Sequence, residues 1–146
     1  MSVEWIVVPG HEGTVANAVA PDGTVVGVVK AASGRIRSFV LRPGGEPASL
    51  VTWEGRDTFF QDVTDGGLVL GDALGPDGSR KFFWHLGEFQ GIEPPRAAEA
   101  WAGGLRGNGD LCGCISDDRQ VRVGVRRLSG RWASVLPAGA ESSVLY

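Results

Sequence analysis

Apolar residues come in short runs, each closed by turn-forming residues. Val25-Val26-Gly27-Val28-Val29, Leu68-Val69-Leu70, Phe82-Phe83-Trp84 and Leu111-Cys112 are all flanked by Gly, Asp, Asn or Pro. A half-buried strand shows this kind of short apolar segment, rich in β-branched and aromatic residues and bounded by turn chemistry. No stretch of about 11 residues or more carries the 3.6-residue period with caps that an amphipathic helix needs. The short segment 96–101, after Pro94-Pro95, reads as a connecting loop. The pattern therefore predicts an all-β chain of strands joined by tight turns.

The strands repeat. Aligning the chain on Gly27, Gly71 and Gly113 gives offsets of 71 − 27 = 44 and 113 − 71 = 42. A turn precedes each of these glycines: Pro21-Asp22-Gly23, Asp65-Gly66-Gly67 and Asn108-Gly109. Apolar pairs lead into them, namely Val25-Val26, Val69-Leu70 and Leu111-Cys112. Phe39, Phe83 and Val125 follow at one common spacing, and the turn glycines Gly45, Gly87 and Gly130 come next. Leu50, Ile92 and Val135 close the pattern. Each copy reads as four strands, placed in the first copy near 14–20, 24–31, 35–42 and 47–53. The copies span about 14–57, 58–99 and 100–142. Segments 3–8 and 143–146 read as further strands that complete the sheets. Asp-Gly and Asn-Gly suit the turns because they accept positive φ at little cost.

The expected fold is one all-β domain of three tandem four-stranded antiparallel repeats. Units of about 40–45 residues suggest β-propeller-like blades. Three blades are fewer than the usual four to eight, so closure by dimerisation is expected. A β-trefoil-like three-fold domain is the alternative.

The segment Asp22-Gly23-Thr24-Val25-Val26-Gly27 with Phe39, and Gly67-Leu68-Val69-Leu70-Gly71 with Phe83-Trp84, resembles the HAF repeat of bacteria. The likeness covers residues 14–137. In the third copy, Gly124-Val125-Arg126 replaces the aromatic pair and Cys112 replaces Val. The resemblance implies a propeller-like tandem β architecture in a family that is usually exported. It supplies no catalytic residues.

Composition narrows the setting. The chain has 146 residues and a net charge of −3, so nothing global favours nucleic acid or an anionic membrane. No run approaches the roughly 18 apolar residues of a membrane span. The start, MSVEWIVVPG, lacks the basic region of a signal peptide. Cys112 and Cys114 are too close for a disulfide framework. These features together predict a cytoplasmic protein.

Candidate chemistry is sparse. Cys112-x-Cys114 could face one side of a strand, but both align with core positions, and no metal site or cofactor is expected. His85 and Asp72 are polar outliers with no counterpart in the other copies, which makes them the catalytic candidates. A general base needs a partner within hydrogen-bond reach. His11 sits in a Gly-flanked loop, where a solvated side chain is the default. Among five tryptophans, Trp101 and Trp84 align with core positions, whereas Trp53 and Trp132 lie near turns and suit a ligand surface. Arg122 and Arg126 share one face of a strand, with Arg127 on the other. They suit an anionic ligand or an acidic partner. The leading expectation is a binding module for a small molecule or glycan. The alternatives are a small cyclase, lyase or hydrolase, and a protein-interaction module.

Overall fold

The computed structural model describes residues 6, 8, 10–44, 49–76, 78–92, 100–116 and 122–135, the side chains of 49, 100–103, 114–116, 122, 123 and 134 excepted. Among them lie twelve strands and no helix. The first copy holds β1 (His11–Val19), β2 (Val25–Ala31), β3 (Ile36–Leu41) and β4 (Ser49–Val51). The second holds β5 (Asp57–Val63), β6 (Val69–Gly75), β7 (Gly78–His85) and β8 (Glu88–Ile92). The third holds β9 (Ala100–Leu105), β10 (Leu111–Ser116), β11 (Arg122–Leu128) and β12 (Arg131–Ser134). They form three four-stranded antiparallel meanders, ordered β1-β2-β3-β4, β5-β6-β7-β8 and β12-β11-β10-β9. Each sheet keeps two edges, so none closes on itself. No described helix is long and apolar enough to cross a membrane. Of the strand expected over 3–8 only Ile6 and Val8 are described, and neither lies in a strand; residues 143–146 lie outside the described residues.

The turn chemistry repeats bond for bond. Ala20 N–H donates to Thr24 O at 2.8 Å and Gly23 N–H to Ala20 O at 2.9 Å. The same pair of bonds joins Thr64, Leu68 and Gly67 in the second copy, and Arg106, Asp110 and Gly109 in the third. The closing glycines have φ of 89°, 75° and 83°. This is a three-residue hairpin loop whose last residue must be left-handed, hence glycine.

A second shared device was not visible in the sequence pattern. Ala16 and Ala18 pair with Gly27 and Val26, so Asn17 is an extra residue in β1. Gln61 is the extra residue in β5, and Gly103 in β9. Each bulge stands opposite the glycine on which the repeat aligns. That explains the glycine. A Cβ on Gly27 would meet the Phe39 ring at 2.7 Å and the backbone oxygen of Val15. A Cβ on Gly71 would meet the Phe82 ring at 2.7 Å and Phe59 O at 2.9 Å. The bulge pushes a carbonyl inward and an aromatic ring lies across the gap, so no side chain fits.

This register corrects one sequence alignment. Phe39 pairs with Gly27, but it is Phe82 that pairs with Gly71, and not Phe83. The cause is the shorter connection between β6 and β7, where Gly75 already pairs with Gly78. Trp84 therefore matches Leu41 and Phe83 matches Val40.

The chain divides into two compact units, Met1–Gly91 and Ile92–Tyr146. In the first unit, sheets 1 and 2 share a core. Ala20, Val26, Val40 and Val51 of the first copy pack with Phe60, Val63, Val69, Ala73, Phe82 and Trp84 of the second. A smaller cluster on the far face of sheet 1 joins Val29 and Phe39 to Val8, with Ile6, Val25 and Leu41 at its margin. Between the two sheets, buried polar groups satisfy the edge strand β5. Phe60 N–H donates to Ser38 Oγ at 3.0 Å, and Asn17 Nδ2 donates to Phe60 O at 2.7 Å. Ser38 N–H donates to Thr58 Oγ1 at 3.1 Å, whose hydroxyl donates to Val51 O at 2.8 Å.

Candidate functional site

The bulged hairpins bring several turns together at one end of sheets 1 and 2. A groove of about 400 Å³ opens there. Its apolar floor is Val40, Val69 and Trp84, drawn from β3, β6 and β7. Pro43 and Leu86 form walls, and Asp22, Arg42 and Asp65 supply charge at the rim. Such a concave site, mostly apolar with a few polar groups, is the common form of a small-ligand pocket. The Asp22 carboxylate already accepts the Thr24 N–H at 2.8 Å, which stiffens its own turn. Arg42 has no ion pair to a described residue.

Leu86 stands out. It occupies the first position of a two-residue turn, with φ of 50°, followed by Gly87 with φ of 90°. Asn, Asp or Gly is favoured there, because a Cβ crowds the backbone in the left-handed region. Glu54-Gly55 and Ser129-Gly130 use the same conformation with polar residues. Leu86 is also 70% exposed. An exposed leucine in a strained turn position has no folding rationale, and it lines the groove.

His85 lies beside this groove. Its ring Nε2 contacts Gly66 O at 3.0 Å, which in the Nε2–H tautomer ties the end of β7 to the β5–β6 turn. The imidazole is exposed and has the role of positioning a groove wall. Asp72 lies elsewhere. It pairs across the ladder with Lys81, whose Nζ donates to Oδ1 at 2.8 Å, while Gln61 Nε2 donates to Oδ2. The two charged side chains are only 13% and 10% exposed. Gln61 is the bulge residue, so the extra residue in β5 is what reaches the carboxylate. Gln61 Oε1 is buried without a partner among the described residues. The structure does not bring His85 and Asp72 into one site.

The remaining candidates scatter. Trp53 is half-buried: its ring stacks on Phe89 at 5.2 Å and meets Phe82 edge-on at 5.3 Å. Trp132 is half-buried in β12, paired with Arg127. Arg126 is exposed in β11 and pairs with Cys112 and Ala133. Arg122 pairs with Ser116 at the start of β11, and its side chain lies outside the described part. Cys112 is half-buried, and the Cys114 side chain is likewise outside. His11 opens β1, where its N–H donates to Val8 O at 3.3 Å. Among the described residues, no three of His, Cys, Asp or Glu gather as metal ligands would.

A second cleft, about 530 Å³, lies at the opposite end of the two sheets beside Arg35, Glu54, Arg56 and Leu74. Arg35 is already committed there, to Asp57 and to Gly55 O at 2.6 Å. In the third sheet, Asp110 Oδ1 accepts the Ser129 N–H at 2.9 Å, which joins two turns. That bond, with help from Asn108, holds the Asp110 carboxyl below the usual aspartate range.

Arg42 and Leu86 were not singled out from the sequence. The Leu86-Gly87 pair was a legible signal, since a hairpin turn of that form expects Asn-Gly. Comparison of this chain with known protein families, curated proteins and solved structures finds no match to any of them.

Proposed function

We propose that this protein is a binding module for a small molecule or a glycan, seated in the groove beside Trp84 and Leu86. The observation that carries this reading is Leu86, an exposed apolar side chain held in a left-handed turn at the rim of an apolar-floored groove. Strained residues that folding does not require concentrate at ligand sites. Arg42, Asp65 and Asp22 give the rim the hydrogen-bonding and charged groups that orient a polar ligand. Trp53 contributes less than its sequence position suggested, because Phe89 covers one face of its ring. The small-enzyme reading draws no support from Asp72, whose partners Lys81 and Gln61 account for it structurally.

The scaffold reading is propeller-like. Sheets 1 and 2 stack face to face as neighbouring blades do, and a second copy of the chain supplies the further blades that a ring needs. The HAF-like glycine and aromatic spacing and a cytoplasmic setting belong to the same proposal.

Thermal shift against sugars, nucleotides, metals and aromatic acids tests the binding reading. A ligand at a hundredfold excess over its dissociation constant adds about 2.7 kcal/mol to stability. Leu86→Asn sharpens the test because its two effects oppose. It relieves the left-handed strain and raises stability by about 1 kcal/mol, roughly 3 °C in Tm. It also removes a groove wall, and the ligand-induced shift falls. A ligand shift left intact in this more stable variant would place the site elsewhere.

A further inference from the structure

The ladders of sheets 1 and 2 end in matching rows. Val19 pairs with Val25, and Val25 with Leu41. Val63 pairs with Val69, and Val69 with Trp84. In sheet 2 this row is buried, at 6%, 0% and 8% exposure, under the first copy's Ala20, Val26 and Val40. In sheet 1 the same row is open. Val19 is 67% exposed, and Val25 and Leu41 are half-buried.

The described cover over that face of sheet 1 is Ile6 and Val8. Val8 O accepts the His11 N–H at 3.3 Å, just ahead of β1, as Trp53 O accepts the Arg56 N–H at 2.9 Å just ahead of β5. Val8 therefore stands to sheet 1 as Trp53 stands to sheet 2. Among the described residues nothing else covers this face, and Val19 stays exposed.

The surface that fits is another sheet of this chain's own kind, presenting the positions of Val26 and Val40. In sheet 3 those cross-strand positions belong to Cys112 and Arg126, which pair in register as Val26 and Val40 do. Arg126 is exposed there and Cys112 half-buried, so that face is open at its centre. An arginine suits the place: its methylene stem lies along apolar side chains while the guanidinium stays in water.

We infer that a second copy of this chain covers Val19, Val25 and Leu41 with the Cys112–Arg126 face of its third sheet. Made twice about a two-fold axis, the contact closes a dimer. The inference rests on the proposed closure by a second copy and adds the surfaces that make it.

Sedimentation of the whole 15.4 kDa chain over a range of concentrations is the test. A dimer is expected, and Val19→Lys and Arg126→Glu each weaken it at least tenfold. Both side chains are exposed, so both variants keep the wild-type circular dichroism and melting profile of the monomer. A wild-type monomer at every concentration would overturn both the closure and the surfaces. A dimer weakened by Val19→Lys but untouched by Arg126→Glu would keep the closure and overturn the role given to sheet 3. A dimer indifferent to both would keep the closure and overturn the whole assignment.

Discussion

Gly27 and Gly71 are fixed by two neighbours at once, a bulge carbonyl and a phenylalanine ring. Neither neighbour can withdraw, because one is backbone and the other is a fully buried side chain. Gly71→Ala is expected to destabilise by about 1–3 kcal/mol through overpacking, read as a lower urea midpoint with an unchanged slope. Gly66 is a contrasting control, since a Cβ there meets nothing within 4 Å and its φ is not left-handed. Gly66→Ala should leave the midpoint within about 0.5 kcal/mol. The sequence marked Gly27, Gly71 and Gly113 as the repeat's anchor, of a kind that suits crowded inner strands, but not what crowds them. The crowding comes from the bulge, which depends on which residue across the ladder is left without a partner, and a single sequence does not encode that as a residue type. Asn17, Gln61 and Gly103 share a register position and nothing else.

At the scale of the element, β6 and β7 carry an ion pair where β2 and β3 carry Val28 and Ser38. The pair is largely buried, so removing one partner strands the other. Lys81→Ala is expected to cost about 3 kcal/mol. Copying the first repeat into the second with Asp72→Val and Lys81→Ser removes both charges. That double variant should cost less than Lys81→Ala, about 1–2 kcal/mol, because no charge is stranded and only the Gln61 Nε2 loses its acceptor. Chemical denaturation of the three proteins checks the non-additivity. The β9–β10 and β11–β12 turns make a different kind of tie. Asp110 has its pKa lowered in the folded chain, chiefly by the Ser129 N–H. A depressed carboxyl contributes stability that is complete above the ordinary aspartate pKa and is lost as pH falls through the lowered value. Acid titration of the unfolding midpoint should therefore fall less steeply in Asp110→Asn than in wild type. A steeper fall in the variant would reverse the sign. Asp72 was legible as an outlier because a carboxylate interrupts an apolar strand. Its partners were not, since Gln61 reaches it only from a bulge.

For the whole molecule, three four-stranded sheets were legible from glycine spacing and turn chemistry, because both act over a few residues. The strand boundaries follow to within a few residues: 14–20 was expected for β1, which runs His11–Val19, and 35–42 for β3, which runs Ile36–Leu41. The groove was not legible. It is lined by residues from both repeats that touch one another only because sheets 1 and 2 stack, and nothing local in the chain announces that stacking. Trp53 shows the same limit in reverse. Its place beside a turn suggested an open face, yet Phe89, many residues away, lies flat against it.

The stacking also changes what β5 offers to its surroundings. β5 is an edge strand, and edge strands invite other chains to add to the sheet and start fibrous growth. Here the Phe60 N–H and C=O are both taken by side chains of the neighbouring sheet, Ser38 and Asn17. An incoming strand finds those two groups occupied. The contact that joins these two repeats is therefore also a guard against amyloid-like recruitment.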